Sequence, residues 1–525
     1  MRREPNGLTT KRMKERSMSE LLQILREPLL EFADKGKTND PYEGLSLFGA
    51  FSKPSGACRH AVVGTSSALS KWSGFSERFN SFVACEDPAR LRAWPAFPSF
   101  EVAFGQQWQS PVRAYSLDEA ELNRAAFLSD PHQRAAAVVN CYLNEIAKLE
   151  KVDETPGVVV CIVPDQVYNN CRMKSSIPVK DRVQSDGIPA AELRKIADDL
   201  SGPQGLLFPE EDESVLTAIK DFDFSPDFRR HLKAKVMPFG IPVQIVKEST
   251  LDVPRELEAG EPGTNPLSDR LWNLAVGLAY KTGQKPWKLA EAREGVCYVG
   301  IAFKKADGGA RDACCAAQMF LDNGDGIVFV GEFGPWYSPE SAQFQLSETA
   351  AHDLLRGTLK TYEEQGGPAL REVFLHCASR VSEQEIQGYQ RAVPEGVKLV
   401  ICRIRLEKGG PRLFRPGSYP PIRGTFLQRH NKFGLLYSSG FNPCAGTYEG
   451  FEVPVPLGIS IQHGDAALEQ VARDVLSLTK LNYNSCSFGS AVPITIRYSQ
   501  QIGEILLANP GLEPSKRQHT LRYYM

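Results

Sequence analysis

The chain has 525 residues, 42% of them hydrophobic and 24% charged, and a net charge of −2. That composition suits two or three soluble α/β domains, each long enough to bury a core, and no apolar run reaches the roughly 18–20 residues of a membrane span. The 12 cysteines include no C-x-x-C pair, which argues against zinc sites and a disulfide framework and for a reduced, cytoplasmic protein.

Residues 1–18 are basic with no apolar run behind the charges, so they read as a disordered tail rather than a secretory signal. SELLQILREPLLEFA, from residue 19, reads as a helix and leads into a Gly/Pro-rich loop. Residues 57–150 then give a strand, HAVVGT, and two long helical patterns, the second broken only at Asp130-Pro131. Residues 19–150 are taken together as an N-terminal linker-like region. At 156 the texture changes. PGVVVCIVP is a continuous apolar run bounded by prolines, as a parallel strand buried on both faces requires. It opens an alternation of helix (AAELRKIADDL, then SPDFRRHLKAKVM), strand (IPVQIV) and helix (NPLSDRLWNLAVGLAYKTG). This predicts a small Rossmann-like domain over 151–290.

From 291 to the end the pattern differs. GVCYVGIAFKK, CCAAQMFLD and GIVFVGEF predict a three-stranded meander around a DNGDG turn. A helix, the strand REVFLHCAS, a second helix and the strand VKLVICRIRL follow. The order βββαβαβ predicts an RNase H-like domain whose first and fourth strands lie side by side. Ala302 would then sit near the end of REVFLHCAS. Residues 401–525 carry 14 Lys and Arg against 8 Asp and Glu, an excess of +6 in a chain whose net charge is −2. A nucleic-acid channel and a solvated basic face both account for that excess.

A Rossmann-like domain followed by an RNase H-like one resembles the MID–PIWI half of Argonaute proteins, and four segments carry the resemblance. SPDFRRHLKAKVMPFGIPVQIV is similar to the phosphate-binding segment of MID, and PPIRGTFL to a PIWI strand. LTKLNYN with AVPITIRYSQQIGEI is similar to the C-terminal PIWI helix pair, and LRYYM to the family's hydrophobic end. About 150 residues before the MID-like part leave no room for N-terminal and PAZ domains, so the chain resembles a short prokaryotic Argonaute.

The resemblance implies a site for the 5′-phosphate of a guide. Arg229 and Lys233 are four apart and project from one helix face; Gln244 ends the next strand and Lys281 lies near the end of the following helix. In Argonautes four residues at this kind of spacing grip the guide's 5′ end. Many members have Tyr or His where Arg229 stands, so a register shifted by two residues, with His231 and Lys235, stays open. The family also bridges the phosphate to its C-terminal carboxylate through a divalent cation, which here implies Mg²⁺ at Met525. Candidate contacts to the guide or target backbone are Arg405, Arg423, Lys432 and Arg497, with Arg403, Arg412 and Arg415.

Two-metal cleavage of a phosphodiester needs anionic oxygens around both ions. The positions that match the family's metal-holding acids carry Ala302, Ser379 and Gln500, so the expectation is a protein that does not cut. It would bind a guide, RNA or DNA, and recognise a complementary single-stranded DNA by base pairing, the protein reading backbone and shape. The resemblance further implies an APAZ-domain effector bound as a heterodimer, of NAD-consuming TIR or sirtuin type or a nuclease, in an antiviral defence role. Higher assembly on activation is left open. The alternative is an Argonaute-like nuclease whose metals are held by relocated acids, Asp322, Asp325 or Glu332. A metabolite enzyme is disfavoured, since no GxGxxG, Walker or GxSxG motif occurs.

Overall fold

A computed structural model describes residues 22–54, 56–85, 91–184, 192, 226–253, 265–304, 313–320, 326–334, 336–338, 343–364, 369–417, 419–448, 450, 452–508 and 516–525. The sequence expectations for residues 1–18, for most of AAELRKIADDL and for the DNGDG turn therefore lie outside the described residues. The first element is a short strand, β1 (Leu22–Ile24), followed by a second at Leu30–Glu31. The helix expected from residue 19 is thus not the observed state. Its apolar residues find partners in two different sheets, and that tertiary pairing overrides local periodicity.

Four parallel strands form the Rossmann-like sheet: β2 (His60–Thr65), β3 (Arg113–Leu117), β4 (Val158–Val163) and β5 (Val243–Lys247), in the order β3-β2-β4-β5. β4 is the run VVVCIV, all six residues buried, because helices cover both faces of the sheet. The sequence reading began this domain at 151, and the structure corrects that boundary, since two of the four strands come from residues 60–117. Parallel neighbours are joined by long helical crossovers, so HAVVGT lies far in sequence from the strand it pairs with. Helix α1 (Ser66–Ser76) leaves β2 directly, with the Thr65 hydroxyl accepting from the Ala68 amide at 3.3 Å. The break at Asp130-Pro131 is a helix start. The Asp130 carboxylate accepts from the amides of His132 and Gln133 at 2.9 Å, and Pro131 opens α2 (Pro131–Ala147).

Helices α3 (Phe228–Val236) and α4 (Leu267–Lys281) complete this half. Nearly every side chain of α4 is buried, as its run LWNLAVGLAY requires. One apolar cluster runs from Val62 and Val158 through Trp272 to Tyr298, Leu476 and Tyr524, so the two sheets share a core.

The RNase H-like order is present. β6 (Val296–Lys304), β7 (Ala313–Phe320) and β8 (Gly326–Gly334) form the meander. After it come α5 (Glu348–Glu364), β9 (Glu372–Cys377), α6 (Glu383–Ala392) and β10 (Lys398–Leu406). The chain then adds β11 (Thr425–His430), β12 (Phe433–Tyr437) and β13 (Leu457–His463). Helices α7 (Leu468–Leu478) and α8 (Ile494–Leu507) follow. The nine-stranded order is β1-β11-β12-β13-β10-β9-β6-β7-β8. β6 and β9 are parallel neighbours, with Ile301 opposite Cys377. Alternation along β6 sends Cys297, Val299 and Ile301 toward the helices α5 and α6. Tyr298, Gly300 and Ala302 face α8. At Gly300 the two backbones touch: a Cβ there would lie 1.9 Å from the Thr495 carbonyl oxygen.

Candidate phosphate-binding cleft

α3 is amphipathic. Phe228, Leu232 and Val236 pack into the sheet core, with the Phe228 ring 5.3 Å from that of Tyr142. Asp227 caps the helix, its carboxylate accepting from the amides of Arg229 and Arg230 at 3.1 and 3.2 Å. With the helix fixed this way, Arg229 is exposed at its start and Lys233 half-buried one turn on. The Lys233 ammonium donates to the main-chain oxygen of Met525 at 2.6 Å. From α4, the buried Lys281 donates to the Gln244 side-chain oxygen on β5 at 2.5 Å. Three elements and the last residue of the sequence therefore converge on one cleft, holding three cations and an amide.

The positive charges are offset only in part, by Asp227 and by the Met525 oxygen that Lys233 meets. Burial, and after it the charge of Arg229, push Lys233 down to about 7, with Asp227 opposing weakly. Burial, then Lys233 and Arg229, push Lys281 well below the usual ammonium range. Among the described residues none of the three cations forms an ion pair with an Asp or Glu side chain. Such a cleft is poised for an anion that brings its own negative charge and acceptor oxygens.

His231 is elsewhere. It is 1% exposed, and burial, then Lys235 and His132, push its ring down to about 3. The register of Arg229 and Lys233 is the one turned to the cleft. The alternative of His231 with Lys235 faces α2, because a two-residue step along a helix turns a side chain by about 200°.

The tail is folded inward. The Tyr523 hydroxyl donates to the Gly240 carbonyl at 3.0 Å, the Tyr524 hydroxyl to that of Gln518 at 2.7 Å, and Met525 is 3% exposed. Gly240 has φ 66°, a left-handed turn between α3 and β5 that brings its carbonyl to the tail. Arg522, which the sequence reading did not single out, reaches the end of α4; a Cβ on Gly283 would lie 3.4 Å from its guanidinium. An arginine inside an otherwise apolar tail was the available signal. Oxygens suited to Mg²⁺ are present at Met525 and Gln244, but each already accepts from a lysine. Among the described residues no group of three or more His, Cys, Asp or Glu side chains is placed to hold a metal. The oxygens fit a hard cation only together with those of a bound phosphate.

Ala302 is buried on β6, Ser379 is half-buried two residues past β9, and Gln500 is exposed on α8. His376 lies on the α8-facing side of β9, its Nδ1 3.0 Å from the Thr495 hydroxyl, and burial pushes it down to about 3. Cys377 points to the opposite face, where burial pushes its thiol up. The two side chains therefore do not face each other. Asp322 and Asp325 lie outside the described residues, and Glu332 is placed only as a residue of β8.

Arg423 requires a correction. Its side chain is 4% exposed, and its Nε donates to both Glu27 oxygens at 3.1 and 3.0 Å. The other guanidinium nitrogens donate to the Ser438 carbonyl and, at 2.6 Å, to the Thr479 hydroxyl. A guanidinium engaged at all three nitrogens and sealed from solvent this way is out of reach of a phosphate. Arg405 is ion-paired with Glu407 at 2.7 Å, Arg497 donates to the Ser490 hydroxyl at 3.2 Å, and Lys432 is exposed at the β11–β12 turn.

No protein-family profile matches the chain. It is 25% identical over 259 residues to the argonaute protein of Aquifex aeolicus, a match covering 49% of this chain and 34% of the relative. It is 26% identical over 258 residues to that of Thermus thermophilus, covering 48% and 33%. The chain thus spans about a third of the curated relatives it matches. Among solved structures it is similar to Clostridium butyricum Argonaute bound to a guide DNA and a 19-mer target DNA. There the TM-score is 0.58 at 16% identity, covering 93% of this chain and 53% of that one. For Drosophila Piwi the TM-score is 0.57 at 13% identity, covering 96% and 56%.

Proposed function

The chain is an Argonaute homologue with the MID–PIWI fold, and from that premise we propose that it binds a guide by its 5′-phosphate and uses it to recognise a complementary strand without cutting it. The observation that carries the reading is the convergence of Arg229, Lys233, Gln244 and Lys281 with Met525 in one cleft. Lys233 and Lys281 supply ammonium donors to the terminal phosphate. Gln244 holds Lys281 in place, and Arg229 at the mouth offers a planar guanidinium to phosphate or base. A divalent cation at Met525 and Gln244 would add positive charge against phosphate oxygens. The rest of the grip comes from the side chains themselves.

The duplex would lie against the nine-stranded sheet, with Arg405, Lys432 and Arg497 as backbone contacts. Arg423 is withdrawn from that role. A methyl, a hydroxyl and an amide at Ala302, Ser379 and Gln500 offer no carboxylate to a metal pair, which supports recognition without cleavage. Recognition would be reported to an APAZ-domain effector of the kind named above, a step that rests on the family resemblance alone.

The test compares 5′-phosphorylated with 5′-hydroxyl oligonucleotides on the isolated chain. Loss of a charge-assisted hydrogen bond costs about 1.5–3 kcal/mol. Lys233→Glu with Lys281→Glu should therefore erase a phosphate preference of roughly a hundredfold or more. The unmodified chain should leave bound complementary DNA intact in Mg²⁺ or Mn²⁺. Equal affinity for the two oligonucleotides sinks the phosphate site. Cutting by the isolated chain sinks the recognition-only reading.

A further inference from the structure

The connection between β10 and β11 carries charge and aromatic surface that the phosphate cleft does not use. From Arg405 to Tyr419 it holds four cations, Arg405, Lys408, Arg412 and Arg415, against one carboxylate, Glu407. Glu407 is taken by Arg405 at 2.7 Å, and the neighbouring β12–β13 connection adds only the exposed Glu452 among the described residues. Between the cations stand two aromatics, Phe414 and Tyr419, each more than half exposed. The turn that presents them is fixed at several points. The Arg415 amide donates to the Tyr419 carbonyl at 2.8 Å, and the Arg415 Nε to the Pro420 carbonyl at 2.8 Å. Gly417, at φ 83°, closes the turn, and a Cβ there would lie 2.7 Å from the Tyr419 ring that folds over it. The Arg415 guanidinium lies over two rings, 4.2 Å from the centroid of Phe441 and 5.8 Å from that of Tyr419. At the base, the Tyr437 hydroxyl donates to the Pro411 carbonyl at 2.7 Å.

This connection leaves the sheet at the edge that carries Ala302 and Ser379. β6, β9 and β10 are parallel neighbours in that order, with Ile301, Cys377 and Arg403 level across them. Ala302, Ser379 and the Leu406 end of β10 therefore all lie at the carboxyl edge, and β10 is two strand spacings, roughly 10 Å, from β6. We propose that Phe414 and Tyr419 form a stacking platform for unpaired bases of an oligonucleotide strand bound along this edge, with Lys408, Arg412 and Arg415 holding its phosphates. The inference deepens the reading of the chain as an oligonucleotide binder and rests on it, but it does not need the phosphate cleft.

Every base has a π-face and every backbone linkage a negative charge, so aromatics set among cations fit a single strand whatever its sequence. A paired base spends both faces on its neighbours in the helix. The platform therefore selects unpaired nucleotides, in a tail beyond a duplex or in a strand not yet paired. An apolar protein surface would cover the two rings but leave the donors of Lys408, Arg412 and Arg415 without acceptors. A nucleic-acid strand supplies acceptor oxygens at every nucleotide. With one side of the Tyr419 ring already held by Gly417, little side-chain freedom is lost when a base arrives.

The probe is a 5′-phosphorylated oligonucleotide carrying a single 5-iodouracil, moved along the strand and photolysed on the full chain, with mass spectrometry locating the crosslink. Crosslinks to Phe414 or Tyr419 from one short run of positions are the expected result. Losing a base–aromatic stack weakens binding about 5- to 150-fold, so Phe414→Ala with Tyr419→Ala should cost at least about fivefold. Phe414→Trp with Tyr419→Phe should bind as the parent does. The dependence of affinity on salt should not change in the alanine variant, since no phosphate contact is removed. An abasic nucleotide at the crosslinking position should weaken the parent by the same factor and the alanine variant not at all. Should that variant fail to fold, the crosslink on the unmodified chain decides alone. Phosphate-dependent binding with no crosslink to the loop and full affinity in the alanine variant overturns the platform, as for a face built to meet a protein, and leaves the phosphate site standing. Crosslinks to the loop with equal affinity for 5′-phosphorylated and 5′-hydroxyl strands support the platform and remove the phosphate site. Absence of any oligonucleotide binding removes both.

Discussion

Glu27→Gln removes the carboxylate shared by two buried cations. Arg423 donates to both Glu27 oxygens, and the Lys480 ammonium lies 3.1 Å from one of them. The Lys480 side chain is 0% exposed, donates to the Asn39 carbonyl at 2.6 Å and sits 3.6 Å over the Phe488 ring. Burial alone would raise the Glu27 carboxyl, yet Arg423 and Lys480 hold it below its usual range. Taking one partner from a buried ion pair costs about 3–5 kcal/mol, because the other charge stays in the protein without an opposing one. At roughly 1–2 °C per kcal/mol for a chain of this size, the melting temperature should fall by about 3–10 °C. Differential scanning calorimetry measures it, and oligonucleotide affinity well below the transition should be unchanged. A drop under about 3 °C would mean that water reaches the two cations, and the account of Arg423 as a structural residue would fail. A loss of nucleic-acid affinity without loss of stability would return Arg423 to the candidate backbone contacts.

Gly300→Ala should destabilise the chain by at least about 2 kcal/mol, since the new methyl meets main-chain oxygen rather than a movable side chain; a melting temperature within one degree of the parent refutes the close approach of α8 to β6. The nucleic-acid-free protein should gain stability as pH rises from 7 to 9. Lys233 in the fold sits at about 7, below its unfolded value of 10.5, so over that window the unfolded chain holds more protons and the slope is positive. The gain should approach about 1.4 kcal/mol per pH unit, read as the difference between the parent and Lys233→Met in denaturant titrations at pH 7, 8 and 9. Equal slopes for the two proteins refute it.

The parts of the fold legible in the sequence are those where local pattern and tertiary role agree. VVVCIV is apolar throughout because both its faces are covered, and the βββαβαβ order shows because each of those elements is long and periodic. SELLQILREPLLEFA misleads for the opposite reason: its apolar residues are shared between two sheets, and pairing partners hundreds of residues away decide its state. HAVVGT is visible as a strand, but its neighbours in the parallel sheet are not. Within the cleft, spacing places Arg229 and Lys233 on one helix face, and the family resemblance adds Gln244 and Lys281. Charge alone does not separate an arginine at a surface from one locked inside, which is why Arg423 passed for a nucleic-acid contact. The decisive partner, Glu27, lies 396 residues away. His231 misled in the same way, since a basic residue on a basic helix says nothing of which face is covered.

The inward fold of Met525 has a practical corollary. Its main-chain oxygen is already held by Lys233 and its side chain is nearly sealed from water. Any residue joined after it, an affinity handle or a fluorescent fusion included, must begin inside the cleft and evict the last turn of the chain to get out. Reporters for oligonucleotide loading therefore belong on exposed positions away from both that plugged exit and the proposed backbone contacts.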